Sequence, residues 1–154
     1  AVYLDKAESA QSLRFFSRIG HRAPLHCTAV GKVLLAWLPP EDREGVLGGL
    51  TLTPLTRHTI TEMDGLRREL QQVAAQGYGV DQEECEEGAS CLAVPLRDHS
   101  GLVVAALGIS APTVRLMEAK REELTLLLLE EGRSLSQELG YQGAVSAAPA
   151  AARR

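Results

Sequence analysis

The sequence is poor in cysteine and has no long apolar run, and both shortages restrict the class of protein. Its 154 residues include three cysteines, an odd number without a CxxC pair. This argues against a disulfide framework and fits a reducing compartment. The longest apolar candidate, residues 124–129, is flanked by glutamates and is too short to span a membrane. Because no secretory signal pattern is present, the expected location is the cytoplasm.

Several functional motifs are also missing. There is no GxGxxG after a strand, no Walker sequence and no GxSxG, so nucleotide binding and serine hydrolysis have no support. The net charge of −4 and the pI of about 5.6 exclude the chain, taken alone, as a nucleic-acid-binding surface. The first residue is not Met and strand-like sequence begins at once. We therefore expect a domain of a longer protein.

What is present suits one α+β domain. The chain is 45% hydrophobic and 23% charged, an ordinary composition for a domain that can bury a core. Five segments have strand character: residues 1–5, 13–19, 78–84, 89–96 and 102–109. Four helices are predicted: from a cap at Thr28 to Pro39, from Pro40 to Gly48, from a capping box at Thr61 to Gly77, and over residues 114–139.

The order of strands, helices, strands and helix is typical of an antiparallel sheet with helices packed on it. A hairpin turn is expected at residues 98–101. The near-continuous apolar run at residues 102–109 predicts a central strand that is covered on both faces. Residues 1–142 should form the domain. Residues 143–154 are rich in alanine and have no periodicity, so a disordered tail is expected there.

The stretch PLHCTAVGK, residues 24–32, contains the first candidate site. Amide N–H groups of Ala29, Val30 and Gly31 would point out of a helix N terminus, which favours a carboxylate or phosphate. Taken alone, the stretch is explained more simply as an ordinary capped core helix. The apolar residues of that helix fall at helical spacing on one face: Val30, Val33, Leu34, Trp37 and Leu38.

Cys91 raises two chemical alternatives. With His26 and Asp81 it would complete a thiol–imidazole–carboxylate triad. With those two residues and Glu84 it would complete a zinc site. The spacing matches no ligand pattern, and a small buried hydrophobe is the simplest role for an intracellular cysteine.

A small-molecule pocket is a simpler interpretation of these residues than a catalytic triad or a zinc site. Asp81 ends one predicted strand, Cys91 begins the next and Ser110 closes the third. In a meander these ends can converge near the N terminus of the first helix. Backbone donors, a hydroxyl, a thiol and a carboxylate would then face apolar side chains, which is the composition of a binding site. No general base stands beside a nucleophile, which favours binding over catalysis. The apolar walls would come from Ala89, Leu107 and Val30.

Three blocks, in this order and spacing, carry a family resemblance: PLHCTAVGKVLLAWL, then GYGVDQEE after a helix, then EGASCLAVPLRDHSGLVVAALGIS. They resemble the effector-binding domain of IclR-type (isocitrate lyase regulator) transcription factors, from about Arg22 to Tyr141. The resemblance implies a GAF-like fold, a curved antiparallel sheet flanked by helices, with a small organic acid or related metabolite bound in its pocket. It further implies homodimers or homotetramers, and DNA binding through an N-terminal winged helix-turn-helix domain that is absent from this chain.

The resemblance also implies ligand positions. The amides of Ala29 and Val30 would meet an acid's carboxylate, and the family's paired serines fall on Gly108 and Ser110. Losing a hydroxyl while gaining space at Gly108 predicts a bulkier or less polar ligand than a small keto acid. The implied ligand-binding set is Ala29, Val30, Asp81, Ala89, Cys91, Gly108 and Ser110.

Three hypotheses therefore follow. The first is a ligand-sensing and oligomerisation domain of a transcriptional regulator, which is not an enzyme and needs neither cofactor nor metal. The second is a GAF-like enzyme that uses Cys91 for redox or hydrolytic chemistry. The third is a dimerisation scaffold without a functional pocket.

Overall fold

The computed structural model describes residues 1–9, 18–116 and 118–143. This part of the chain forms an α+β fold with a three-stranded antiparallel sheet in the order β1-β2-β3, and none of its helices is long and apolar enough to cross a membrane. A short 3-10 helix, Thr113–Arg115, follows the third strand. The elements are α1 (Ala29–Ala36), α2 (Pro40–Gly48), α3 (Met63–Gln76), β1 (Gly79–Gln82), β2 (Ala89–Arg97), β3 (Val103–Pro112) and α4 (Glu118–Glu138).

Strand β2 has helices on both of its faces, and its side chains alternate between them. Ala93 packs in a core with residues of α1 and α3. Leu92 and Val94 pack on the opposite face in a second core with Leu116 and with Leu128 of α4. Because directly paired residues of neighbouring strands point to the same face, the register of β2 decides which residues of β1 and β3 lie on the α1 side.

Helix α1 begins at the predicted cap. Thr28 Oγ1 accepts a hydrogen bond from the Gly31 amide at 3.1 Å, satisfying one of the donors that a helix N terminus leaves open. The predicted apolar face is only partly correct. Val33 is fully buried, but Val30 and Leu34 are half-buried, whereas Lys32 is 0% exposed.

A row of small residues brings α1 close to the sheet. Gly79, Ala93 and Gly108 pair across the three strands, and we call them the small row. A Cβ at Gly79 would lie 2.8 Å from the Ala29 carbonyl oxygen, and one at Gly108 would lie 3.1 Å from Val30 Cγ1. The first turn of α1 therefore packs directly on the small row, because Gly79 and Gly108 have no side chains.

Three predicted elements need correction. Residues 1–5 form no strand but a single bridge between Val2 and Arg22. Strand β3 lies at the edge of the described sheet, with Val104 52% exposed, so the prediction of a central, covered strand is wrong. The expected capping box is also wrong, since α3 begins after Glu62 and no side chain caps it.

The other predicted boundaries are close to those observed. Gly77 ends α3 with φ of 90°, and Pro40 opens α2 as predicted. The last helix begins at residue 118 and not at 114, since the 3-10 helix precedes it. Most of the predicted strand at residues 13–19, and all of the predicted tail after Gly143, lie outside the described residues.

Candidate ligand-binding site

One pairing position of the sheet carries three polar side chains side by side. Asp81 of β1 pairs with Cys91 of β2, which pairs with Ser110 of β3. They lie on the α1 side, two residues along the strands from the small row. We call Asp81, Cys91 and Ser110 the polar row. Its last two members are in contact, with 3.1 Å between Cys91 Sγ and Ser110 Oγ.

A cavity of about 430 Å³ lies over the polar row, within the usual range for small-molecule sites. The first turn of α1 and strand β3 form two of its sides. The N-terminal segment, residues 3–9, also lines the cavity with all of its residues except Leu4. All seven residues that the family resemblance implies for the site line this cavity: Ala29, Val30, Asp81, Ala89, Cys91, Gly108 and Ser110.

The helix N terminus offers two backbone donors to this cavity, not three. The Gly31 amide donates to Thr28 Oγ1, and the Lys32 amide donates to the Thr28 carbonyl oxygen at 2.9 Å. Gly31 is therefore not available to a ligand, which corrects the sequence interpretation. Within the described residues, the amides of Ala29 and Val30 have no hydrogen-bond partner, and both residues line the cavity.

Asp81 has a structural task as well as a place in the cavity. Its Oδ1 accepts hydrogen bonds from the amides of Glu84 at 2.8 Å and Cys85 at 3.4 Å, so it holds the turn between β1 and β2. Burial raises the pKa of this carboxyl, although the two amides and the nearby Lys32 oppose that shift. Each carboxylate oxygen has two acceptor sites, which leaves acceptor capacity for a ligand.

Cys91 is a poor nucleophile in this environment. Burial raises the pKa of its thiol to about 12, against the opposing effect of the hydrogen bond with Ser110. The thiol is therefore protonated at neutral pH, whereas catalytic cysteines react as thiolates.

The structure does not assemble the triad or the zinc site around Cys91. His26 is buried, its Nε2 lies 3.0 Å from the Thr53 carbonyl oxygen, and it is not among the residues that line the cavity. In the part of the chain that the structure describes, no group of three or more metal-binding side chains occurs.

The glycine at position 108 does not widen the cavity in the way the sequence suggested. A Cβ there would lie 3.1 Å from both Val30 Cγ1 and the Leu92 carbonyl oxygen. The side chain of Val30 thus occupies the space beside Gly108. Position 108 therefore lacks a hydroxyl, as the sequence indicated, but the glycine adds no free space to the cavity.

Two features of the site were not predicted from the sequence. The first is the N-terminal segment, which brings Tyr3 and Lys6 to the cavity, where His21 lies as well. The second is Lys32, whose Nζ lies 2.6 Å from Glu84 Oε1 and 2.9 Å from Glu69 Oε1. This buried ion pair ties α1 to α3 and to the turn that Asp81 holds. The sequence carries no local signal for Tyr3, because its place at the cavity depends on pairing with residues 20 and 21.

Backbone amides, a carboxylate, a hydroxyl and a protonated thiol around one cavity define a ligand-binding domain. The chain belongs to the IclR family: the model for the C-terminal domain of bacterial transcriptional regulators of the IclR type matches residues 1–137. It is therefore a domain of a transcriptional regulator and not an enzyme.

Relatives of known structure support this assignment. KdgR of Escherichia coli is 45% identical over 140 residues, covering 91% of this chain and 53% of that protein. The crystal structure of its C-terminal domain has a TM-score of 0.76 and covers 80% of this chain and 75% of that one. The IclR protein of Thermotoga maritima is 41% identical, with a TM-score of 0.87 over 91% of this chain and 57% of that one. These neighbours confirm the predicted GAF-like α+β fold.

A third neighbour is the PobR inducer-binding domain of Acinetobacter, a double mutant in complex with 3-hydroxybenzoic acid. It is 33% identical, with a TM-score of 0.70 over 81% of this chain and 72% of that one. The chain spans about half the length of the curated relatives it matches.

Proposed function

We propose that this domain senses a small organic acid in the cytoplasm and thereby alters DNA binding by a winged helix-turn-helix domain of the same protein. The observation that carries the proposal is the pair of unpartnered amides at Ala29 and Val30, which border the cavity. A helix N terminus favours an anionic group through its open N–H donors and its dipole. We place the acid's carboxylate there.

The rest of the cavity supports an acid larger than pyruvate or glyoxylate. Its volume of about 430 Å³ suits ligands with a substantial apolar body. Apolar contact is available from Val30, Ala89 and Ala106, and the polar row faces the same space. The side chain of Leu107, which the sequence suggested as a wall of the pocket, packs on the α4 side of the sheet instead. The related PobR domain in complex with 3-hydroxybenzoic acid is in keeping with an acid of this size.

We further propose that residues 1–142 act as a homodimer or homotetramer. Helix α4 carries Leu126 and Leu127 at 64% and 47% exposure, and adjoining exposed apolar side chains are typical of interaction surfaces. Light scattering coupled to size-exclusion chromatography tests this directly. A monomer at micromolar concentration would contradict it.

A thermal-shift screen of organic acids against the purified chain tests the ligand proposal. A ligand at a hundred times its dissociation constant stabilises the folded state by about 2.7 kcal/mol. For a domain of this size this raises the melting temperature by roughly 5–10 °C. We expect aromatic or longer aliphatic acids to give this shift. Tighter binding of pyruvate or glyoxylate would contradict the size argument.

Site variants then locate the bound acid. We expect Ser110→Ala to weaken binding without changing the melting temperature of the free domain. Ser134→Ala on the exposed side of α4 is the matched control and should bind as the parent does. If Ser110→Ala also binds as the parent does, the pocket assignment is wrong.

A further inference from the structure

The start of the chain is fixed by backbone hydrogen bonds against residues 20–23. The Tyr3 amide donates to the His21 carbonyl oxygen at 3.1 Å, and the Gly20 amide donates to the Tyr3 carbonyl oxygen at 2.8 Å. The Ala23 amide donates to the Ala1 carbonyl oxygen at 2.9 Å. The backbone of Tyr3 is therefore held on both sides, although no regular strand forms.

This pairing directs the side chain of Tyr3 toward the cavity. Its neighbours Val2 and Leu4 are 45% and 75% exposed, whereas Tyr3 is half-buried and lines the cavity. In extended backbone successive side chains point to opposite sides. The outward direction of Val2 and Leu4 thus agrees with the inward direction of Tyr3.

Tyr3 lines the same cavity as Asp81, Cys85 and Cys91. Burial raises its pKa, and Cys91, Cys85 and Asp81 act in the same direction. No hydrogen bond joins its hydroxyl to any of the residues that the structure describes. The hydroxyl is not among the buried polar atoms that lack a partner in the described residues, so it is open to solvent and available to a ligand.

We propose that Tyr3, together with Asp81, selects acids that carry a hydroxyl at the end remote from their carboxylate. This inference rests on the proposed function, because the carboxylate at Ala29 and Val30 sets the direction in which the ligand lies. The remote hydroxyl donates a hydrogen bond to the Asp81 carboxylate and accepts one from the Tyr3 phenol. Tyr3 is then a specificity-determining residue contributed by the N-terminal segment.

The chemistry of this end of the cavity explains the selection. Asp81 is a carboxylate acceptor that is 2% exposed, so an apolar group placed against it gives no hydrogen bond to its remaining acceptor sites. A site built to hydrogen-bond a hydroxyl rejects the analogue that lacks it, because its own polar groups are then left unpaired. An acid without the hydroxyl leaves two groups without this hydrogen bond, Asp81 as the acceptor and Tyr3 as the donor.

Matched acid pairs test the proposal by calorimetry with the full chain. The probes are 3-hydroxybenzoate with benzoate, and 6-hydroxyhexanoate with hexanoate. We expect the parent to prefer the hydroxy acid of at least one pair by about tenfold or more. Tyr3→Phe should remove roughly threefold to tenfold of that preference and leave the affinity for the deoxy acid unchanged.

The control variant is Tyr141→Phe, which deletes a phenol hydroxyl from a half-buried residue that does not line the cavity. It should retain the preference of the parent. If acids bind but Tyr3→Phe keeps the full preference, or if the parent shows none, this inference is overturned while the proposed function stands. If none of the four acids binds at millimolar concentration, the inference and the acid-sensing proposal both fail.

Discussion

Replacing Lys32 with methionine should destabilise the domain strongly. The side chain of Lys32 is 0% exposed, and its ammonium contacts the carboxylates of Glu84 and Glu69. Burial already raises the pKa of Glu84, and the charge of Lys32 opposes that shift. Lys32→Met therefore leaves a buried carboxylate without its cation. Breaking a buried pair in this way costs about 3–5 kcal/mol.

That cost is large compared with the total stability of a domain, which is about 5–15 kcal/mol. The melting temperature should fall by roughly 6–20 °C. Urea unfolding followed by circular dichroism, at one fixed protein concentration, measures the free energy directly. Lys120→Met removes an exposed lysine of α4 and should stay within about 0.5 kcal/mol of the parent.

A double variant separates the lost ion pair from the lost packing. Adding Glu84→Gln to Lys32→Met removes the stranded charge, and neutral replacements of whole buried pairs are often tolerated. Glu69 can regain water because its side chain is 25% exposed. The double variant should therefore recover part of the loss. The reasoning fails if Lys32→Met costs less than about 1 kcal/mol, or if the double variant is no more stable than the single one.

Three further predictions follow from the geometry of the site. Gly108→Ser should lower the free energy of unfolding by about 1–3 kcal/mol, because its Cβ would press on Val30 Cγ1. Thermal melts should show recovery when Val30→Ala is added, and a single variant that melts like the parent would contradict this prediction. Cys91, with its thiol pKa raised to about 12, should react with iodoacetamide at neutral pH at least about a hundredfold more slowly than a free thiol. Peptide mapping by mass spectrometry measures the rate, and a rate equal to that of a free thiol would show that the Cys91 pKa is not raised. Burial raises the pKa of Glu84, so the folded chain holds this proton to higher pH than the unfolded chain does. The contribution of Glu84 to stability therefore falls as the pH rises from about 4 through the raised pKa. Urea unfolding at several pH values should show this fall in the parent and not in Glu84→Gln, and superimposable pH profiles of the two would show that the carboxyl pKa is not shifted.

Local signals predicted the helices well because their ends are chemically marked. Thr28 caps α1, Pro40 opens α2, and Gly77 with φ of 90° closes α3. Each of these effects depends on neighbours within a few residues, so the sequence displays it directly. The convergence of Asp81, Cys91 and Ser110 also followed from the order of a simple meander.

The errors arose where distant parts of the chain meet. The apolar run of β3 suggested a strand covered on both faces, but one face packs toward α4 while the other borders the cavity. An apolar cavity side and a buried sheet face require the same residue types. Lys32 gave no signal, because its partners are 37 and 52 residues away in sequence. Tyr3 was missed because its position depends on pairing with residues 20–23.

The spacing between the small row and the polar row has a consequence for how the ligand specificity of such a domain can change. Two residues along a strand span about 6.8 Å, so the pitch of the sheet itself fixes how far the polar row lies from the first turn of α1. Loops of any length leave that distance unchanged, and a register slip of one residue would turn the polar row to the opposite face. The N-terminal segment, in contrast, contributes no residue to either described core. We therefore expect adaptation to a new acid to be easiest at residues 3–9, where substitutions change the lining of the cavity without disturbing either core.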